Sequence, residues 1–244
     1  MKKLRVALIC STVTVAGIAA AQAEPVKGVV ELFTSQSCSS CPPADKVFGE
    51  VIQRDGILGL AFHVDYWNYL NWKDTFSSPE ATRRQYDYAT SLHSSQVYTP
   101  QMIVNGKHVV SAGSPEKLVK VMSEAGAEKS LPVAVAAELD GARLVVTAGA
   151  GSGEANLVLA IFDENETVNV ERGENGGKQI TYHNSVTGLR TIGMWKGKAL
   201  EVELPRKEYL TKTGQGCAVL LQRITPQGTP GEIIGAAVVS GTGS

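Results

Sequence analysis

Residues Val30–Asp45 read Val-Glu-Leu-Phe-Thr-Ser-Gln-Ser-Cys-Ser-Ser-Cys-Pro-Pro-Ala-Asp. The stretch Val29–Thr34 is rich in β-branched and apolar residues, the pattern of a strand buried on both faces. Ser35-Gln36-Ser37 is a polar turn, and from Pro42 to about Arg54 the residues Val47, Phe48, Val51 and Ile52 recur at helical spacing. Gly56 stops that helix. Cys38 and Cys41 therefore stand at a strand-to-helix junction. Unpaired N–H groups and the positive end of the helix dipole favour thiolate over thiol there. Cys38, at the cap, is expected to be exposed and acidified, and Cys41, one turn inside, shielded; that asymmetry separates a nucleophile from a resolving thiol. Pro42 opens the helix without loss, because its missing N–H has no partner at that position anyway. Closing so short a loop stabilises little, so redox chemistry or metal binding explains the pair better than stapling does. Neither a second Cys-x-x-Cys nor a His-x-x-x-His follows, which argues against structural zinc.

Outward from this junction, Ile57–Val64 reads as a second buried strand, ending in His63-Val64-Asp65-Tyr66-Trp67. A helix is expected from Ser77 or Ser78 to about Leu92, with Pro79 in its first turn and Glu80 placed for a capping box. Gln101–Val104 and His108–Ser111 flank Asn105-Gly106, a strong hairpin signal. Ser114-Pro115-Glu116 caps a last helix carrying Leu118, Val119 and Met122. The order is β-α-β-α-β-β-α. After Ser130-Leu131-Pro132 the texture changes to short strands: Val133–Leu139, Arg143–Thr147, Leu157–Phe162, Thr167–Glu171, Gln179–His183, Ala199–Leu204, Ala218–Ile224 and Ile233–Val239. Strands at such spacing suggest a β-sandwich. The expected architecture is an α/β domain over residues 24–130 followed by a β-sandwich over 131–244.

Residues 1–23 have the form of a secretory leader: Lys2, Lys3 and Arg5, an apolar run from Val6 to Ala20, and Ala21-Gln22-Ala23 as the cleavage pattern. Cleavage after Ala23 leaves 221 residues with 20 basic and 24 acidic side chains. The run is too short for a membrane span, so a soluble protein of the periplasm, or a secreted one, is expected. Disulfides persist in that compartment. Three cysteines remain, an odd number, and Cys217 reads as a small buried hydrophobe. With 43% hydrophobic and 19% charged residues and no basic stripe, the chain is neither disordered nor a nucleic-acid binder.

The N-terminal half resembles the thioredoxin superfamily. The whole mature chain is similar to a family of exported bacterial proteins known as domain of unknown function 1223, through Val30–Asp45, Ala61–Trp67 (Ala-Phe-His-Val-Asp-Tyr-Trp), Tyr98–Gly106 (Tyr-Thr-Pro-Gln-Met-Ile-Val-Asn-Gly) and Glu171–Asn175 (Glu-Arg-Gly-Glu-Asn). The thioredoxin resemblance implies Cys38 as nucleophile, Cys41 as resolver and Pro100 as a cis-proline facing the disulfide, with the backbone of Thr99 free to pair with an extended substrate. Ser37 stands where a tryptophan precedes the pair in that superfamily. The buried acid of thioredoxins falls on Leu32, leaving the adjacent Glu31 as the candidate proton carrier, or as a structural ion-pair partner. Tyr66 and Trp67, with Tyr98 across the strand, are candidate substrate contacts. His63 and Asp65 share a strand face, as thiol-tuning groups or as a structural network.

Thiol–disulfide exchange with a protein or small-thiol client, without a cofactor, is the leading expectation. The alternatives are copper(I) handling, with Cys38, Cys41 and His63 as soft and borderline ligands, and a non-catalytic binding module. Glu171–Gly177, charged and glycine-rich, reads as a solvated hairpin, with a contact surface between the halves or a ligand loop as the alternatives. No nucleic acid and, once the leader is removed, no membrane is expected as a partner.

Overall fold

The first strand is buried along its whole length, and alternation sends Val29, Glu31 and Phe33 to one face and Val30, Leu32 and Thr34 to the other. The structure, a computed structural model, describes residues 25–111, 120, 131–211 and 213–239. Its elements run β1 (Gly28–Thr34), α1 (Cys41–Val51), β2 (Ile57–His63), α2 (Pro79–Ser91), β3 (Gln101–Val104), β4 (His108–Ser111), β5 (Val135–Asp140), β6 (Arg143–Ala148), β7 (Ala155–Asn169), β8 (Gln179–Trp195), β9 (Leu200–Pro205), β10 (Gln215–Ile224) and β11 (Pro230–Val238). The leader through Ala23 and the helix expected at Ser114 lie outside the described residues. Among those residues no helix is long and apolar enough to cross a membrane.

Eight strands form one sheet in the order β11-β10-β7-β8-β2-β1-β3-β4, and β5-β6-β9 form a second. β1 and β2 are parallel, as the intervening helix requires, and β3 and β4 are antiparallel additions around Asn105-Gly106. The protein is thus a mixed α/β fold with a large, mostly stranded sheet. The sequence leads one to expect a separate sandwich after residue 130. Instead, β7, β8, β10 and β11 continue the first sheet past β2, and the three-stranded sheet packs against their α1-side face through Leu144, Val146, Leu157, Leu159, Val219 and Ile234. The α2-side face is one apolar layer across both halves, from Val29, Leu60 and Phe62 to Ala160, Leu220 and Ile233.

Two segments read as separate short strands, Leu157–Phe162 and Thr167–Glu171, fall on one strand that ends at Asn169, and Gln179–His183 is the start of another that runs on to Trp195. The resulting hairpin is long enough for its tip to reach the first half. α2 starts one residue later than a capping box requires: Ser78 is its N-cap and accepts a hydrogen bond from Ala81 N, which leaves Glu80 as a first-turn acid.

Helix α1 lies close on β2 and β8 because glycines remove the side chains between them. A Cβ on Gly59 would stand 2.1 Å from Ile52 Cγ2, and one on Gly49 2.6 Å from His183 Cδ2. Overpacking of this kind costs about 1–3 kcal/mol. Gly59→Ala is expected to destabilise the protein by that amount in urea unfolding, and an unchanged midpoint would show that α1 can lift without cost.

Candidate active site

The loop from Ser35 to Cys38 is polar in sequence yet fully buried up to Ser37, so each of its polar groups needs a partner. Gln36 N donates to Asp74 Oδ2 (2.8 Å), Gln36 Nε2 to Thr75 Oγ1, and Ser37 Oγ to the carbonyl of Trp72. Trp72 Nε1 and Thr75 N donate in turn to Gln36 Oε1. The aromatic-rich segment after β2 therefore clamps the loop in place.

Cys38 and Cys41 form a disulfide with a Cα–Cα separation of 5.4 Å. Cys41 is the first residue of α1 rather than one turn inside it, is followed by two prolines and is fully buried. Contrary to expectation Cys38 is also buried, at 4% exposed, and Ser40 rather than Cys38 is the helix cap, because the helix begins only at Cys41 and the cysteine loop is covered. The Ser40 hydroxyl lies 3.4 Å from Cys38 Sγ, and since a disulfide sulfur carries no proton, the hydroxyl is the donor.

On the other side, Cys38 Sγ lies 3.8 Å from the carbonyl oxygen of Thr99, and the Thr99–Pro100 peptide bond is cis. Trp67 Nε1 donates to Thr99 Oγ1 at 2.8 Å. The Tyr66 hydroxyl donates to Gln85 Oε1, and Gln85 Nε2 donates to the carbonyl of Tyr98. Cys38, Cys41, Thr99, Pro100, Trp67, Tyr66 and Tyr98 are thereby brought together. The Tyr98 ring (41% exposed) and Tyr69 (75%) stay open to solvent beside them.

Glu31 is not brought to the pair. Alternation along β1 sends it to the α2 face, where Arg84 Nε donates to Oε1 (2.7 Å) and the Tyr88 hydroxyl to Oε2. Gln222 of β10 accepts from Arg84 and donates to Tyr88, so this buried ion pair joins the two halves of the sheet. Arg84 thus takes Glu31 as its partner, while Asp65 accepts from Thr82 Oγ1. Cys217 is buried in β10, where burial pushes its thiol up to about 12.

The α1 face of the sheet carries a different set of ionisable groups. Asp45, one helical turn after Cys41, is buried and accepts from Thr34 Oγ1 through Oδ1 (2.8 Å), while its Oδ2 has no hydrogen-bond partner. His63 Nδ1 is 2.8 Å from Asp74 Oδ2, both fully buried, and His63 Nε2 lies 3.4 Å from Ser185 Oγ. The Tyr182 ring stacks edge-on to His63, and its hydroxyl also lacks a partner. Burial pushes the Asp45 carboxyl up to about 7, with His63 working against the rise. Burial alone lowers the His63 imidazole, but the Asp74 carboxylate outweighs it and raises it; Asp74 is held low by His63 and by the N–H groups of Gln36 and Phe76, against its own burial. His63 is therefore committed to Asp74. Among the described residues no group of three or more His, Cys, Asp or Glu side chains is arranged to hold a metal ion.

Two contributors escape the reading of the sequence. A carboxylate in the buried stripe Cys41, Ala44, Asp45, Phe48 was a signal for Asp45. Asn175, in the segment read as a solvated hairpin, is fully buried, and its Nδ2 donates to the carbonyls of both Gln36 (2.9 Å) and Cys38 (2.8 Å).

Comparison with known proteins adds a family and a fold. The family model described as protein of unknown function (DUF1223) matches residues 29–222. A protein from Agrobacterium tumefaciens, known from its crystal structure, is 41% identical; the alignment covers 88% of this chain and 94% of that one with a TM-score of 0.80. HBP35 of Porphyromonas gingivalis shares the fold at 14% identity and a TM-score of 0.62, over 87% of this chain and 74% of its own. No curated protein matches.

Asp45 makes stability depend on pH. Its value in the folded protein lies above the ordinary 3.8, so the folded state holds this proton more tightly than the unfolded chain. The stabilisation is complete below about pH 4 and is lost as pH rises to about 7. Asp45→Asn removes that loss: it is expected to stabilise the protein by about 2–4 kcal/mol at pH 8 and by almost nothing at pH 4. Urea unfolding at the two pH values checks this, and equal effects at both would contradict a buried, proton-holding carboxyl.

Proposed function

The chain belongs to the DUF1223 family, and within it we propose an exported protein of the periplasm that exchanges disulfides with a protein or small-thiol client through Cys38 and Cys41. The observation that carries this reading is the placement of the pair. A disulfide closing two intervening residues opens a helix, with its outer sulfur against the Thr99 carbonyl next to cis-Pro100. The sheet order β2-β1-β3-β4, with α1 and α2 on opposite faces, further supports a thioredoxin-like reading of the first half. So does the leader-like N-terminus for export.

Exchange proceeds through a mixed disulfide. A client thiolate attacks Cys38 Sγ, the Cys38–Cys41 bond breaks, and its electron pair leaves on Cys41 Sγ. A second client thiolate attacks the client sulfur of the mixed disulfide and releases Cys38 as thiolate; the client dithiol is oxidised and the protein disulfide reduced. The reverse sequence starts with the Cys38 thiolate and ends with Cys41 resolving the mixed disulfide. The helix N-terminus and the Ser40 hydroxyl favour the Cys38 thiolate. Cys41 is buried, so its thiolate needs a proton carrier. Asp45 fills that role in this reading: on a helix, residues four apart have Cβ atoms about 5–6 Å apart and the later side chain leans toward the earlier turn. A carboxyl titrating near neutrality is suited to giving and taking a proton. Tyr66, Trp67 and Tyr98 flank the entry, and the Thr99 backbone offers an extended client a strand-like partner.

Equilibration of the mature protein with glutathione tests the reading. A potential between roughly −120 and −270 mV is expected, the range of exchange catalysts, whereas one below about −300 mV marks an inert structural disulfide and sinks it. With the pair active, Cys38→Ser abolishes exchange and Cys41→Ser accumulates the mixed disulfide, as read by mass spectrometry.

A further inference from the structure

We propose that the tip of the β7–β8 hairpin sets the redox poise of the cysteine pair, with Glu174 opposing the Cys38 thiolate and Asn175 holding the tip where it can do so. The inference rests on the exchange reading above and adds a regulating element to the same site. Asn175 comes from more than 130 residues downstream, yet it is fully buried against the cysteine loop, where its amide bridges the carbonyls of Gln36 and Cys38. Its Oδ1 accepts from Lys178 Nζ at 2.8 Å, which fixes the amide orientation. Gly173 packs directly on the aromatic segment: a Cβ there would meet the Leu70 carbonyl at 2.8 Å, and its φ is +74°. The tip is thus docked on both arms of the site.

Docking places the Glu174 carboxylate on the N–H of Ser39, at 3.3 Å, between the two cysteines in sequence. That N–H lies on the turn before the helix cap Ser40, next to Cys38 in the chain. A carboxylate fixed there repels the Cys38 thiolate by like charge, and so raises the thiol of the reduced form and favours the disulfide. Other charged and titratable groups around the pair are Lys178 on the tip, Asp45 on α1, His63 on β2, Asp74 in the loop and Tyr182 on β8. Lys178, whose ammonium donates to Asn175 Oδ1, works in the opposite sense, so Glu174 is the group on the tip that opposes the thiolate. A tip that served only as a packing contact would leave Glu174 without influence on Cys38.

The test uses the full mature protein and its Glu174→Gln and Asn175→Ala variants. Cys38 alkylation by iodoacetamide is followed against pH on the reduced proteins, with the modified residue identified by mass spectrometry, and the dithiol–disulfide equilibrium is measured against a redox buffer. Glu174→Gln is expected to lower the Cys38 titration by about half a pH unit, and thereby to raise the reduced fraction about threefold at fixed buffer ratio. Asn175→Ala should move both readouts the same way, and the double variant no further than the larger single effect, because both act through one contact. Unchanged titration and equilibrium in Glu174→Gln overturn the inference. Should Asn175→Ala not fold, the Glu174→Gln readouts decide alone. The two proposals fail separately: an inert potential with a Glu174-dependent Cys38 titration defeats the exchange function and leaves the tip's electrostatic role standing. An active potential indifferent to Glu174 does the reverse.

Discussion

The open edge of β2 governs the rest of this molecule. β2 is apolar on both faces and buried from Leu58 onward, and an unpaired edge on such a strand leaves backbone groups without water or partner. β8 runs alongside it, parallel through Ala61 and Ser185, and the Asn184 amide takes the carbonyl of Gly59. Closing the edge in this way obliges the second half of the chain to build on the first sheet. It also sets the origin of a hairpin whose strands are 15 and 17 residues long. Its far end then has to lie over α1 and the cysteine loop, which is where Asn175 is found.

A second consequence concerns charge. With both faces of the sheet covered over β1 and β2, every polar residue on these strands is sealed from solvent, and each is answered in kind: Glu31 by Arg84, Tyr88 and Gln222, Thr34 by Asp45, and His63 by Asp74. Ion pairs so deeply buried are poor sources of net stability, because desolvation offsets most of the attraction, but breaking one partner is costly. They act here as register marks. Arg84 can meet Glu31 and Gln222 together only if β1, α2 and β10 are correctly placed. The Asp45 cluster is different in kind, since it keeps an unpartnered carboxyl oxygen and an unpartnered tyrosine hydroxyl.

Much of this was legible in residue order. The strand–cysteine–helix junction, the second strand, α2 and the Asn105-Gly106 hairpin follow from periodicity and turn chemistry, which are local. Long-range pairing is not local. The β-rich texture after residue 130 identifies strands but not the sheet that receives them, and the second half of β8, from Thr187 to Trp195, with polar and apolar residues mixed along it, carries a weak alternation signal. The same limit left the segment of Asn175 open between a solvated hairpin and a contact between the halves, because a polar glycine-rich turn looks solvated until its docking partner is known. Glu31 shows the opposite case. Its alternation with Leu32 and Thr34 already pointed it away from α1, and proximity in sequence to the site of the thioredoxin acid was the weaker argument.

The two sulfurs of the pair are housed by different parts of the chain, and that division has a chemical meaning. Cys41 is enclosed by α1, with Asp45 one turn below it and His63 and Tyr182 behind that carboxyl. Cys38 is bordered by Ser40, Thr99 and the β7–β8 tip. In an exchange reaction one sulfur is attacked and the other leaves, and their rates depend on the acidity of each thiol in opposite ways. A single environment shared by both sulfurs would shift the two together. In the exchange proposed above, separate environments would let the leaving sulfur be served by Asp45 as proton carrier while the attacked sulfur is adjusted by a helix terminus and by Glu174. The extended sheet brings these elements to the same place, so the chain beyond residue 130 borders the cysteine pair as closely as α1 does.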